Sequence, residues 1–128
     1  MEMNNLSLAA TSATPSVHFD AASGQLGIAG ESYPENAFEF FKPLLAWVAE
    51  FLNSTEIPVL AELKLSYLNT SSIKSVMDLL DLLEAAHRSG RSMTLRWYYH
   101  PDNDRALEMI EEFKEEVTLP FFVVPVSE

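Results

Sequence analysis

Tyr67-Leu68-Asn69-Thr70-Ser71-Ser72-Ile73-Lys74 is the stretch on which the reading of this chain depends. Before it, Val59 to Tyr67 alternates apolar and polar residues from Leu63 to Tyr67, the pattern of a half-buried strand. After it, Ile73, Val76, Met77, Leu80, Leu83 and Ala86 recur at three- and four-residue steps, the pattern of a helix. Asn69-Thr70-Ser71-Ser72 is therefore the turn between a strand and a helix. Asn, Thr and Ser all suit a helix N-cap, because their side-chain oxygens accept from the orphan N–H groups of the first turn. One such side chain is enough. Three consecutive hydroxyls at the positive end of a helix dipole, with Lys74 close by, also describe a place to add and remove a phosphate. Capping alone and capping with phosphorylation both fit these residues.

Composition narrows the function classes. The chain has 128 residues, enough for one domain with one core. It is 48% hydrophobic and 21% charged, which is the balance of a folded protein. Eight Lys and Arg stand against 19 Asp and Glu, a formal charge of −11. That surplus repels phosphate backbones and anionic lipid, so neither nucleic acid nor membrane is an expected partner. A basic patch on another protein is. With no cysteine there is no disulfide, thiolate nucleophile or cysteine metal site. No apolar run reaches a membrane span, and the N-terminus lacks a basic region followed by a hydrophobic block, so the expected location is cytoplasmic.

Taken in order, residues 1–13 read as a flexible tail and 14–128 as the domain. Ser16–Asp20 and Gln25–Gly30 form a predicted β-hairpin, with Gly24 in the left-handed position. Ser32-Tyr33-Pro34-Glu35 has capping-box spacing, which predicts a helix from Tyr33 to Leu52 capped by Ser32. Pro43 lies inside it. Phe38, Phe40 and Trp47 fall outside the single core stripe of Phe41, Leu44, Leu45, Val48, Phe51 and Leu52. Either neighbouring segments cover these aromatics or they face a partner. The second helix runs to Arg88, ends at Ser89-Gly90, and carries Asp78, Asp81 and Glu84 along an acidic edge. Ser92–Tyr99 is a strand with Met93, Leu95 and Trp97 on one face, Arg105–Phe113 a helix, and Leu119–Val126 a strand. Pro120 and Pro125 place that last strand at a sheet edge.

The order is β-β-α-β-α-β-α-β, an α/β single-domain mixed sheet with helices packed mostly on one face. This layout, with hydroxyls just after the third strand, is similar to the STAS domain of anti-sigma factor antagonists, which are phosphorylated at the start of the matching helix. Catalytic signals are weak. His18, His87 and His100 are scattered, and His100 with Asp102 and Asp104 reads as a solvated turn rather than a cation loop. Neither a Gly-rich phosphate loop nor a nucleophile elbow is present, and no base lies near Thr70 or Ser71 in sequence. A binding protein is therefore expected rather than an enzyme, and no cofactor or metal is expected.

Tyr67-Leu68-Asn69-Thr70-Ser71-Ser72, taken with Ser32-Tyr33-Pro34-Glu35-Asn36, resembles the SiaC family of bacterial regulatory phosphoproteins from about Thr14 to the C-terminus. The resemblance implies a protein whose unphosphorylated form binds and activates a diguanylate cyclase, raising cyclic di-GMP and promoting biofilm growth. It implies a kinase of histidine-kinase-like ATPase fold and a PP2C-type phosphatase as the opposing enzymes. It places the phosphate acceptor on Thr70, whereas the STAS comparison favours Ser71. The partner surface is expected to include Asn69, Thr70, Ser71, Ser72, Lys74 and Asp78. An anti-sigma factor antagonist in partner switching, and a small hydrolase using Ser71 or Thr70, are the alternatives.

Overall fold

Alternation, turn chemistry and helical spacing meet at the elements they predict, and the sheet arranges them in chain order. The structure, a computed structural model, describes residues 3–126. Its elements are β1 (Leu6–Leu8), β2 (Ser16–Asp20), β3 (Gln25–Ser32), α1 (Ala37–Ser54), β4 (Val59–Leu68), α2 (Thr70–Arg88), β5 (Met93–Tyr99), α3 (Asp104–Glu115) and β6 (Phe121–Pro125). The six strands form one sheet in the order β1-β2-β3-β4-β5-β6. β1, β2 and β3 are antiparallel, and β3 to β6 are parallel. Each parallel step is made by one helix between neighbouring strands. Crossovers of one hand, all advancing in one direction, put α1, α2 and α3 on the same face.

Burial follows from this. Phe19, Ile28, Leu63, Leu65, Leu95 and Trp97 point from the sheet into the core and meet Phe41, Leu44, Phe51, Leu80, Leu83 and Ile110 from the helices. The other sheet face carries His18, Glu62, Lys64, Arg96 and Tyr98 toward water. Trp97 stacks on Phe113 at 5.2 Å and on Phe121 at 6.2 Å, and its indole N–H donates to the Leu65 carbonyl at 3.3 Å. Burying each such side chain contributes about 1.5–3 kcal/mol. β6 is an edge strand, as its prolines require. Pro120 offers its carbonyl and Val126 its N–H to β5, so Pro125 faces outward, where its missing N–H shortens the open edge.

Several boundaries differ from the sequence reading, each for a local reason. Residues 1–13, read as a flexible tail, contain β1, which pairs with β2 from Leu6 opposite Phe19 to Leu8 opposite Val17. The same segment covers Trp47, whose indole N–H donates to the Asn4 carbonyl at 2.8 Å while the ring stacks on Phe51. Phe40 packs edge-on to Phe41, so two of the three extra aromatics of α1 are covered. Phe38 is 63% exposed. Gly24 has φ +77°, the left-handed turn position expected, and a side chain there would collide with the Pro58 carbonyl oxygen.

The correction with most consequence is in β4. The β3–β4 register passes from Gly30 opposite Leu65 to Glu31 opposite Tyr67, leaving Ser66 as an extra residue. A bulge of this kind resets the side-chain alternation beyond it. Tyr67 therefore points outward and is 51% exposed, although the alternation from Leu63 predicts it beside Leu65 in the core, and Leu68 turns inward instead. Gly30, at φ +125°, lies at the irregularity on the β3 side, where a side chain would press against Pro15.

Glu84 is a second correction. It belongs to no solvated acidic edge, being only 8% exposed. Its carboxylate accepts from the Thr118 N–H (2.9 Å), the Thr118 hydroxyl (2.6 Å), the Leu119 N–H (3.0 Å) and Arg88 Nε (2.8 Å). It thereby ties α2 to the loop entering β6. Burial by itself raises a carboxyl pKa, but the Thr118, Arg88 and Leu119 donors together outweigh it and hold Glu84 at about 2, below its ordinary 4.5. A depressed folded-state pKa stabilises the fold fully above 4.5, and that contribution is lost as pH falls through about 2. We predict that Glu84→Gln destabilises the protein by about 1.5–3 kcal/mol at neutral pH, the range for hydrogen bonds to a charged group. In thermal melts the wild-type advantage over Glu84→Gln should shrink steadily from pH 4.5 toward pH 2. A pH-independent difference would remove the carboxylate from that role.

Candidate functional site at the Asn69 turn

The parallel strands all end at one edge of the sheet, so the N-termini of the three helices gather there. An Asn caps each of them: Asn36 for α1, Asn69 for α2 and Asn103 for α3. At α1 the cap lies four residues beyond the predicted Ser32. β3 continues past Gly30 because Glu31 and Ser32 pair with Tyr67 and Leu68, so the helix starts only after Asn36. Asn36 and Glu39 then bond reciprocally, with the return contact made to the Asn36 side chain rather than to its backbone N–H as in a capping box. The Asn36 oxygen accepts from the Glu39 N–H at 3.1 Å, and its amide donates to the Glu39 carboxylate at 3.4 Å.

Asn69 does more than cap. Its side-chain oxygen accepts from the Ser72 N–H at 2.9 Å and closes the first turn of α2. Its side-chain amide donates to the Pro34 carbonyl at 3.0 Å, and its own N–H donates to the Ser32 carbonyl at 2.9 Å. The Tyr33 N–H in turn donates to the Ala13 carbonyl at 2.8 Å. The two short motifs singled out in the sequence are thus hydrogen-bonded into one surface. Tyr33 and Tyr67 meet across it edge to face, with ring centroids 6.2 Å apart.

The three hydroxyls have three different environments. The Ser72 side chain is fully buried and its hydroxyl bonds that of Ser32, also fully buried, at 2.7 Å. Ser72 is therefore removed from the expected partner surface: the third residue of α2 faces the β3 end rather than water. Ser71 is exposed, and its hydroxyl donates to the Asn69 side-chain oxygen at 3.3 Å. Thr70 is exposed, and its hydroxyl makes no hydrogen bond within the protein among the described residues. Lys74 and Asp78, one and two turns further on, continue the Thr70 side of α2; Lys74 is exposed and Asp78 half-buried. Of the residues predicted for the site, the fold leaves Asn69, Thr70, Ser71, Lys74 and Asp78 at the surface, with Thr70, Lys74 and Asp78 on one side of α2. Sequence reasoning treated Ser32 only as a cap and missed Tyr33 and Tyr67 as a pair. The presence of both motifs in one resemblance was the available signal that they meet.

The chemistry of the site is that of an accessible hydroxyl at a helix N-terminus. A phosphate on Thr70 would lie beside the free N–H groups of the first turn, where anions are favoured. Among the described residues no three His, Asp or Glu side chains gather as a metal site, and no helix is long and apolar enough to cross a membrane. His100 accepts from the Asp102 N–H at 3.3 Å in the turn before α3.

Fold and site together define a class: a one-sheet α/β domain with a hydroxyl-bearing turn at the carboxyl ends of its parallel strands. Residues 8–126 match the model of the SiaC family regulatory phosphoprotein, and the chain belongs to that family. An uncharacterized protein of Pseudomonas aeruginosa (strain UCBPP-PA14) is 46% identical over 121 residues, covering 94% of this chain and 96% of that protein. The crystal structure of apo-SiaC from Pseudomonas aeruginosa superposes with a TM-score of 0.92 at 44% identity, over 95% of this chain and 99% of that one. A second crystal structure, of the diguanylate cyclase SiaD in complex with its activator SiaC from the same organism, matches with a TM-score of 0.91. That match is 45% identical over 94% of this chain and 99% of the other.

The buried Ser32–Ser72 hydroxyl pair lends itself to a double-mutant cycle. Ser72→Ala leaves the Ser32 hydroxyl buried without its partner and should cost about 1–3 kcal/mol. Adding Ser32→Ala should cost less than the sum of the two single changes. Urea unfolding of the four proteins measures this, and strictly additive costs would show that the pair contributes no coupling.

Proposed function

We propose that this protein is a phosphorylation-switched regulator that, unphosphorylated, binds and activates a diguanylate cyclase, and so controls cyclic di-GMP and biofilm formation. Thr70 is the phosphate acceptor. The observation that carries the reading is the sorting of the three hydroxyls: only Thr70 is both exposed and unengaged, while Ser71 is tied to Asn69 and Ser72 is buried. Family membership supports a regulatory role, and the relative crystallised with SiaD as its activator supports the kind of partner. The protein acts by binding and is not itself an enzyme. A kinase of histidine-kinase-like ATPase fold adds the phosphate, and a PP2C-type phosphatase removes it.

The switch follows from charge. A phosphothreonine adds about −1.5 to −2 charges at neutral pH, on a chain already at −11. Where a partner covers the turn, that charge must be desolvated or repelled, and either effect opposes association. The helix N-terminus offsets part of the cost in the isolated protein, by about 0.3–1 kcal/mol. Phosphorylation therefore weakens the complex without unfolding its carrier. Phosphopeptide mapping of protein from its native cell should find the modification on Thr70, and Thr70→Ala should abolish it while keeping cyclase binding. Thr70→Asp should weaken binding in the direction of the phosphorylated form, with an unchanged circular dichroism spectrum. Modification confined to Ser71, or equal affinity of the unmodified, phosphorylated and Thr70→Asp forms, would overturn the mechanism.

A further inference from the structure

Six large apolar side chains are exposed among the described residues, and they are not scattered. Phe122 and Val126 lie at the β6 edge. The other four, Tyr33, Phe38, Tyr67 and Ile73, belong to the two segments joined through Asn69 and to the first turns of the helices that follow them. Tyr67 is there because the Ser66 bulge turns it out of the core, and Tyr33 lies against it. Three of the four flank Thr70 directly in sequence or across the bonded loop. From Tyr67 to Ile73, and from Ser32 to Pro34, there is no charged residue, in a chain whose formal charge is −11. The residues next to Thr70 are thus an uncharged, aromatic-rich island, bordered by Lys74 on α2 and by Glu31, Glu35 and Glu39 around the β3–α1 loop. Exposed aromatic groups at such a site are the usual anchors of an interface, and Tyr is among the residues enriched there.

We infer that the Tyr33–Tyr67 pair, with Ile73 and Phe38, is the apolar anchor by which this protein docks on the diguanylate cyclase, with Thr70 inside the contact. This rests on the reading above and adds the other half of the surface, from the β3–α1 loop, to the hydroxyl turn. The cyclase is the occupant for a physical reason. A phosphate on Thr70 controls only an association that covers Thr70, and this island is the apolar surface contiguous with it. Unmodified, the stretches from Ser32 to Pro34 and from Tyr67 to Ile73 bring no charge of their own to the contact. Phosphorylated, the island places a dianion among side chains whose burial drives docking, and the apolar contact cannot form without desolvating it.

The test is titration of purified SiaD with the unmodified protein and its variants, using circular dichroism and thermal melting to confirm that each variant is folded. Tyr67→Ala and Tyr33→Ala should each weaken binding about tenfold or more, as truncated interface anchors do. Because either tyrosine also packs on the other, Ile73→Ala and Phe38→Ala provide anchors outside that pair and should weaken binding in the same direction. Phe122→Ala, exposed to the same 51% as Tyr67 but on the β6 edge, should leave affinity within about twofold. Wild-type binding that all four anchor variants retain would overturn the inference and leave the cyclase reading intact. Absence of wild-type binding would overturn the cyclase reading and the inference with it. Self-association of the wild type that Tyr67→Ala abolishes, with SiaD binding unchanged, would reassign the island to a second copy of this chain and overturn the inference as well.

Discussion

Everything at the functional end of this protein depends on the side chain of Asn69. A cap needs only an acceptor, which Ser or Asp would supply equally well. Asn supplies an acceptor and a donor on one planar group, and both are used. The oxygen holds the Ser72 N–H and the amide holds the Pro34 carbonyl. With its backbone N–H on the Ser32 carbonyl, this residue fixes the start of α2 and the β3–α1 loop in one geometry. Asp at this position would keep the cap and lose the tether, because an ionised carboxylate has no proton to donate. Ser would keep the cap and be too short for both tasks. The buried Ser32–Ser72 bond repeats the same junction one layer deeper. Two independent links hold two segments together that are 35 residues or more apart in the chain.

The elements were largely legible in the sequence because they rest on periodicity, which is local. The helices, the parallel order, the edge position of the last strand and the left-handed Gly24 follow from spacing and from turn residues. What was not legible depends on partners distant in sequence. Nothing around Ser66 announces a bulge, since its cause is the register with β3, so alternation alone does not give the outward turn of Tyr67. Ser32-Tyr33-Pro34-Glu35 and Asn36-Ala37-Phe38-Glu39 both have capping-box spacing. The length of β3 decides between them, and that length is set by pairing with β4. Glu84 read as part of a solvated acidic edge because the donors that bury it come from Thr118 and Leu119, beyond another helix and strand. β1 has three residues, too few for alternation to show, and exists because β2 offers it an edge.

The site was legible to a different degree. That Asn69–Ser72 is a capped turn with hydroxyls follows from local sequence, but their ranking does not. Thr70, Ser71 and Ser72 are chemically near-equivalent in the chain, and the helix sorts them by direction. About 100° of rotation separates consecutive helical residues, so of three neighbours one faces the sheet, one leans on the cap and one is left free. That sorting gives the STAS-based expectation of Ser71 and the family-based expectation of Thr70 different local costs. Ser71 must give up its bond to Asn69 to receive a group, and Thr70 gives up nothing within the protein.

The same arrangement bears on how a modification at Thr70 would act. α1 and α2 are held at both ends. At the turn, Asn69 and the Ser32–Ser72 pair fix their starts. At the far end, the Arg91 guanidinium donates to the Leu52 carbonyl in the last turn of α1 and to the Thr55 and Ile57 carbonyls just after it, and Glu84 fastens α2 to the loop entering β6. Between them the helices bury Phe41, Leu44, Val48, Phe51, Val76, Leu80 and Leu83 against the sheet. A close-packed body of this kind deforms little, and a signal that must travel through it needs a second packing of similar energy. The anion would be favoured where it is added, at a helix N-terminus, and the links at both ends oppose a shift of α1 or α2. A switch built here therefore works by changing what the surface presents rather than by moving the domain. An acceptor at Thr70 would have to adjoin the aromatic island for that reason: in a rigid carrier, a charge can veto only the contact that covers it.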